Sequence, residues 1–473
     1  MSTNTVRIGN IFKDLPFTSF QYRICIFCFL VCFLDGFDLT IIGVTLPKIA
    51  EYLGASHEAL GFALGAGQFG PLVGAIFLGM LADRLGRKWM LCVSVFIFGI
   101  FTLLTPTISD AGQLGLYRFL AGIGLGGAIP NGLAIASEYA PAKSRSFIVA
   151  TMYAGMPAGA MTGGFAAAYI IPNMGWQHMY YLGGWAPIVL GCFIAPLLPE
   201  SLEFLASRGK LGDQEKIRSI VAKISPDIIC NGPVRFINTV AVKPGVPIKR
   251  LFTEGRAATT LLLWIVCSGA LYLLWVLNTW SPTLLKNSGA TVQQYSFAYS
   301  LLCFGAMISS LFVGWTMDRI NPFRVLQTGF VFAAFSLIAF GIGAESGSFA
   351  VIAILSVVCG IFINGSQTGT LAVATLSYPA DIRATAIGWA YAVAKIGAMM
   401  APVAGGYMLA AEWPVTKICS ANALMGFFTA VMVFLLHYQL SGRCFTTSAN
   451  EEEQLRVLTR EVGAQVVKQV SDN

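Results

Sequence analysis

Charged residues are scarce in this chain of 473 residues. Lys, Arg, Asp and Glu together make up 11% of it, whereas apolar residues make up 56%. Soluble domains carry roughly 25% charged residues, because a water-exposed surface must be kept hydrated and free of large apolar patches. The composition therefore excludes a soluble globular protein and indicates an integral membrane protein that crosses the bilayer many times.

Histidine is rarer still, with three residues in the whole chain. They are His57, His178 and His437, and they show neither the spacing of metal ligands nor a partner nucleophile in sequence. We therefore expect no enzyme activity, no metal site and no cofactor. The net charge of +7 does not indicate a nucleic-acid partner either, because in a membrane protein it reports which side the basic residues occupy.

Apolar stretches of about 20 residues, the length that crosses a hydrocarbon core as a helix, recur at a steady spacing. A polar segment, 199–257, divides them six and six. The sequence therefore predicts an all-α integral membrane fold of twelve transmembrane helices in two six-helix halves. The predicted spans are 24–47, 60–82, 90–109, 114–136, 147–170, 180–198, 258–284, 295–317, 324–344, 349–373, 384–409 and 418–438. The predicted domains are an N-terminal half (1–198), a central cytoplasmic loop (199–257), a C-terminal half (258–438) and a cytoplasmic tail (439–473).

The basic residues fix the orientation of these spans. If the N-terminus is cytoplasmic, the outer loops hold only Lys48, Lys286 and Lys417, whereas the inner loops and tails hold most of the others. Cytoplasmic loops of membrane proteins are enriched in Lys and Arg. We therefore expect both termini in the cytoplasm and the protein in the cell inner membrane, functional as a monomer.

The two halves repeat each other in sequence. Glycine, proline and charged residues recur at matching places in corresponding spans, which argues for duplication. Two such halves in parallel orientation place a substrate site between them, near the membrane midplane. A shift of 235 residues aligns Pro47, Gly79, Asp83 and Arg84 with Pro282, Gly314, Asp318 and Arg319, and a shift of 242 aligns Gly155, Gly163 and Gly164 with Gly397, Gly405 and Gly406.

The loop after the second span, 79–88, resembles the signature loop of the major facilitator superfamily, and a weaker copy follows the eighth span. Its glycine lets helices approach closely, and its basic cluster can pair with carboxylates when the inner face closes. The alternative is that these bases only anchor the membrane interface. The predicted gating residues are Gly79, Asp83, Arg84, Gly86, Arg87 and Lys88, with Asp318 and Arg319 in the second copy.

Charges in the middle of spans are the sequence's strongest functional signal. Asp35 and Asp38 lie in the first span, Arg118 in the fourth and Lys395 in the eleventh. A charge at membrane depth is costly, so each one marks a functional site by default. The four charges sum to zero, so an entering carboxylate would leave the cavity one charge negative, and a proton taken up by an aspartate would restore the balance.

The chain also resembles the aromatic acid:proton symporter family. The resemblance rests on Asp35-Gly36-Phe37-Asp38, the stretch from Arg118 to Asn131, Ser137-Glu138-Tyr139, Leu198-Pro199-Glu200-Ser201 and the Arg-Ala-Thr stretch at 383–385. It implies proton-coupled import of hydroxybenzoates and similar acids. It also implies that Asp35 and Asp38 match the family's essential aspartates, that Arg118 matches its arginine of the fourth span and that Glu138 matches its glutamate at the inner end of that span. The family usually has Arg where this chain has Lys395.

We predict that Lys395 and Arg118 attract the substrate carboxylate, while Asp38, with Asp35, carries the proton. Arg118 has a second possible role in steering anions at the outer mouth. Glu138 either carries protons or forms an ion pair with the basic loops. Two aromatic residues of the eleventh span, Trp389 and Tyr391, could stack on the substrate ring or serve as packing.

Three other functions remain open. A proton-antiport exporter would commonly show Gly-Pro in its glycine-rich fifth span, where this chain has Gly159-Ala160. A sugar carrier would share Pro199-Glu200-Ser201 but would not need basic residues at mid-depth. A membrane sensor of aromatic acids would be expected to carry a signalling domain, for which the tail after about residue 440 is short.

Overall fold

The computed structural model describes residues 4–7, 18–141, 145–208, 211–224, 234–237, 248–253, 255–378 and 382–441. Within these ranges the chain is dominated by twelve long helices. The second of them has a break at Gln68 between His57–Gly67 and Phe69–Leu85. In chain order they are α1 Ser19–Leu53, α2 His57–Leu85, α3 Arg87–Leu104, α4 Ala111–Tyr139, α5 Arg145–Met174, α6 Gln177–Leu197, α7 Ala257–Asn287, α8 Val292–Arg319, α9 Pro322–Glu345, α10 Phe349–Leu376, α11 Arg383–Ala410 and α12 Val415–Ser441.

These helices have the length and character of membrane spans. Eleven are both long and apolar enough to cross a bilayer. The twelfth, α5, is 30 residues long and is less apolar because it carries Gly155, Gly159, Gly163, Gly164 and two prolines. The predicted all-α fold of twelve transmembrane helices is thus confirmed. Most of the helices extend a few residues beyond the predicted spans, as expected where helix ends reach the polar headgroup region.

The segment between α6 and α7 carries short elements of its own. Two helices, Leu202–Arg208 and Leu211–Ile224, follow α6, and Arg208 donates to Asp213 at 2.7 Å. Strands β1 (Asn4–Arg7) and β2 (Val234–Ile237) pair in parallel, which the sequence did not predict. We call this end of the bundle, where α1 begins and α12 ends, the loop side, and the opposite end the far side. The predicted tail lies outside the described residues after Ser441.

Glycine allows the helices within each half to pack closely. A Cβ added to Gly36 of α1 would overlap the backbone carbonyl of Met156 in α5, and one added to Gly159 would overlap that of Phe33. A Cβ on Gly397 of α11 would likewise overlap Ser268 of α7. Small residues permit such backbone contact between membrane helices. The pairs α1/α5 and α7/α11 thus use the same packing device.

The duplication is also visible in the contacts between the halves. A Cβ on Gly164 would lie 3.0 Å from the carbonyl oxygen of Ser296, and one on Gly406 would lie 3.2 Å from the Cα of Gly61. Gly164 and Gly406 correspond under the shift of 242, and Gly61 and Ser296 under the shift of 235. The seams α5/α8 and α2/α11 are therefore equivalent.

The two halves are closed together on the far side. The ring of His57 lies 6.0 Å from that of Trp280, and Glu51 forms an ion pair with Lys286. A Cβ on Gly61 would lie 2.6 Å from the carbonyl oxygen of Pro402. These contacts join α1 and α2 to α7 and α11, so the far side is sealed.

The loop side is open by comparison. Asp83, Arg84, Asp318 and Arg319 are all exposed at the ends of α2 and α8. A Cβ added to Gly79 would meet nothing within 4 Å, and the same holds for its counterpart Gly314. The predicted close approach at Gly79 is therefore not made in this conformation, and these residues form no contact that closes the loop side.

Widening the far-side seam should shift this conformation. Gly61→Val should push α2 away from α11 and so favour the far-side-open state. Spin labels at positions 85 and 320, which are exposed at the ends of α2 and α8, should then move closer together on the loop side in a background without native cysteines. Gly65→Ala is a milder version, since its Cβ would lie 2.8 Å from the carbonyl of Met399.

Gly212→Val is the matched control, because a Cβ there meets nothing within 4 Å. It should leave the label distance unchanged. An unchanged distance in Gly61→Val and Gly65→Ala, with normal folding, would show that this seam does not set the conformation.

Candidate functional site

Asp38 and Arg118 form a buried ion pair inside the N-terminal half. Arg118 Nη1 donates to Asp38 Oδ1 at 3.0 Å and to Oδ2 at 3.1 Å, and both side chains are less than a tenth exposed. Burying two charges is tolerable only when they are paired and hydrogen-bonded. Arg118, predicted to attract the substrate, is therefore occupied by Asp38 in this conformation.

Polar side chains of α3, of the turn that follows it and of α6 surround this pair. Arg118 Nη2 donates to Thr105 Oγ1 at 3.2 Å and to Thr102 Oγ1 at 3.4 Å. Its guanidinium also lies 5.4 Å from the ring centre of Tyr180, whose hydroxyl is 3.0 Å from Thr45. The sequence analysis did not identify these residues, although threonines three apart in an apolar span were an available signal.

Asp35 faces a different partner. It is 9% exposed, and its carboxylate interacts electrostatically with Lys395, which is 8% exposed, and with Asp38. Asp35 belongs to α1 in the N-terminal half, whereas Lys395 belongs to α11 in the C-terminal half. Both lie near the middle of their helices. The two halves thus contribute opposite charges to one site at mid-depth.

Tyr391 lies directly beside Lys395. The Lys395 Nζ is 5.2 Å from the ring centre of Tyr391, one helical turn away, and this tyrosine is 52% exposed. Trp389 is 43% exposed, but its position lies about 120° around α11 from Lys395. The structure therefore brings Tyr391 to the charged site and leaves Trp389 on another face of the helix.

Glu138 lies far from these charges, at the loop-side end of α4. It forms an ion pair with Arg87, and it accepts from Ser201 Oγ at 2.7 Å and from the Glu203 amide at 3.4 Å. Glu200 in turn accepts from the Lys88 amide at 2.9 Å. This arrangement matches the ion-pair alternative for Glu138 and ties the gating loop to the end of α6.

The gating residues fall into two groups, one that joins the Glu138 and Glu200 network and one that faces solvent. Gly86 has a φ of 109°, which favours glycine, and it initiates α3 beside the carboxylate of Glu200. Arg87 and Lys88 follow it into the Glu138 and Glu200 network. Asp83 and Arg84 face solvent instead, as do Asp318 and Arg319, whose guanidinium lies over Trp315 at 4.1 Å.

Removing Arg118 should destabilise the protein strongly. Arg118→Ala would leave Asp38 buried without its counter-charge, which costs about 3–5 kcal/mol in such pairs. The thermal unfolding midpoint in detergent should fall by several degrees and transport should be lost. The double variant Asp38→Asn/Arg118→Gln should recover most of the stability, because no isolated charge remains.

Arg324→Ala, at an exposed position of α9, serves as the control and should change neither quantity. Equal stability of Arg118→Ala and the unmodified protein would contradict a structural role for the pair.

Comparison with known proteins places the chain in a family. The model of the Major Facilitator Superfamily matches residues 28–340 and 263–459. In fold, the chain is similar to a D-xylose-proton symporter, with a TM-score of 0.69, 16% identity and coverage of 88% of this chain and 97% of that one. A bacterial homolog of the lysosomal transporter Spinster, solved in an inward-facing conformation, gives a TM-score of 0.69 at 16% identity, covering 89% and 98%.

Relatives of closer sequence are transporters by name. The 4-hydroxybenzoate transporter PcaK of Acinetobacter baylyi is 34% identical over 89% of this chain and 92% of its own length. The gallate transporter of Pseudomonas putida is 32% identical over 83% and 87%. The chain therefore belongs to the Major Facilitator Superfamily and is a membrane transporter of the group that includes these proteins.

Proposed function

We propose that this protein imports a small aromatic carboxylate, such as a hydroxybenzoate, together with protons. The substrate class is supported by the relatives, which are named as transporters of 4-hydroxybenzoate, gallate and benzoate. In this proposal the loop side faces the cytoplasm, the protein lies in the cell inner membrane and a monomer is the functional unit. The conformation described above is then the inward-facing one.

The observation that carries the proposal is the position of Lys395. The residue is 8% exposed at mid-depth, and its ammonium nitrogen lies 5.2 Å from the centre of the half-exposed ring of Tyr391. An ammonium group binds a carboxylate, and an aromatic face packs on an aromatic ring. These two groups therefore match the two parts of an aromatic acid, and no ion pair within 4 Å occupies Lys395 among the described residues.

Asp35 links the substrate site to the proton. Lys395 supplies the positive charge that acts on Asp35 from across the cleft, although the two groups form no ion pair within 4 Å. A substrate carboxylate that binds Lys395 competes with Asp35 for the same positive charge. Protonation of Asp35 then removes the excess negative charge from the cleft. Binding of the acid and of the proton thereby favour each other, which is the requirement for symport.

Asp38 and Arg118 form a second group that couples a proton to the substrate in this proposal. Their ion pair adjoins Asp35 through the single turn between Asp35 and Asp38, so the charge state of one aspartate affects the other. We propose that a proton on Asp38 releases Arg118, which then interacts with the substrate anion when the far side is open. Asp83, Arg84, Asp318 and Arg319 form their pairs in that state, when the loop side is closed.

Replacing Lys395 should weaken substrate binding. Lys395→Ala removes a charge-assisted hydrogen bond, so we expect KM for 4-hydroxybenzoate uptake into proteoliposomes to rise about 10- to 100-fold. Lys395→Arg keeps the charge and should retain transport. Lys417→Ala removes a lysine that lies over Trp413 on the far side and should have no effect. A normal KM in Lys395→Ala would place the carboxylate elsewhere.

Replacing Asp35 should uncouple substrate transport from the proton gradient. Asp35→Asn cannot change its charge, so an imposed pH gradient should no longer drive accumulation, whereas exchange of internal for external substrate should continue. Asp35→Asn is a cleaner test than Asp38→Asn, which also leaves Arg118 buried without its ion pair. Accumulation by Asp35→Asn at the unmodified level would show that Asp35 does not carry the coupling proton.

A further inference from the structure

Tyr153 of α5 faces the site from the half opposite to Lys395. It is 53% exposed, and its phenol interacts electrostatically with Tyr391 of α11 and with Cys32, which lies one turn before Asp35 on α1. Two half-exposed phenols, one from each half, therefore lie near the charged site, and neither hydroxyl has a hydrogen-bond partner among the described residues.

The internal repeat gives an independent reason to place Tyr153 at the cleft. The shift of 242 that aligns Gly164 with Gly406 also aligns Tyr153 with Lys395. In sequence Tyr153 thus corresponds to Lys395, whereas within the helices it lies level with Tyr391, one turn nearer the loop side, and it approaches the cleft from the N-terminal half.

The depths of these residues define a slot. Tyr153 and Tyr391 each lie eight residues from the loop-side start of their helices, a depth of about 12 Å. Lys395 lies one turn deeper. A carboxylate held by Lys395 would place its ring one turn toward the loop side, which is the level of the two tyrosines.

We propose that Tyr153 is a substrate-contacting residue that recognises a ring hydroxyl of the transported acid. This inference rests on the proposed function and narrows it to ring-hydroxylated aromatic acids. Tyr391 and Tyr153 flank the ring, and the Tyr153 hydroxyl, which can donate and accept, forms a hydrogen bond with the ring hydroxyl. A site built around such a bond discriminates against the analogue that lacks the hydroxyl, because its own polar group is then left unpaired.

Equilibrium binding of benzoate and 4-hydroxybenzoate to the purified full-length protein tests this assignment. In Tyr153→Phe, Kd for 4-hydroxybenzoate should rise about five- to tenfold, the effect of one neutral hydrogen bond, while Kd for benzoate stays constant. Tyr153→Ala also removes the ring and should weaken both ligands. Tyr169→Phe alters another tyrosine of α5, 70% exposed, and is the matched control with no expected effect.

Each other outcome contradicts a definite part of the account. An equal change for both acids in Tyr153→Phe, or no change for either, would overturn the hydroxyl contact while leaving the transport proposal intact. Loss of discrimination in Tyr153→Phe together with a normal Kd in Lys395→Ala would keep the Tyr153 contact and remove the carboxylate site. Failure of the unmodified protein to bind either acid would overturn the proposed function and this contact with it.

Discussion

The cost of a charge at membrane mid-depth is the constraint on which this structure depends. Four ionisable side chains lie in the middle of spans: Asp38 and Arg118 form an ion pair, whereas Asp35 and Lys395 interact across the cleft without one. One pair, Asp38 with Arg118, is complete within the N-terminal half. The other, Asp35 with Lys395, spans the two halves and changes whenever the halves move. The first pair thus joins helices of one half, whereas the second lies between the halves, where we propose that substrate and proton act.

The helix packing determines which parts of the protein move together when the conformation changes. Glycines fix α1 to α5 and α7 to α11 by backbone contact, so each half moves as a packed unit. The far-side seam closes through the equivalent contacts α5/α8 and α2/α11. Glu138, Arg87 and Glu200 bind the gating loop to the end of α6 within the N-terminal half. Alternating access can then proceed as rocking of two units around a fixed central site.

Much of this arrangement could be predicted from the sequence, because its signals are strong ones. Twelve apolar runs and isolated charges such as Asp35 and Lys395 have few explanations in a membrane protein. The partner of Arg118 could not be predicted, since it depends on how α1, α3 and α4 rotate against one another. The pairing of Asn4–Arg7 with Val234–Ile237 joins residues too distant for local pattern to reveal. Tyr153 was missed because a lone tyrosine usually packs, although the repeat already aligned it with Lys395.

The central claim is that substrate and proton cross together, and it is tested most directly by following the proton. Proteoliposomes with a pH-sensitive dye inside, and no initial pH gradient, should be given external 4-hydroxybenzoate, with protein-free liposomes as the reference. The account predicts that the lumen acidifies as the anion enters, at a rate set by the transporter. If the transporter carries the acid into the lumen but the lumen acidifies no more than that of protein-free liposomes, proton symport is contradicted.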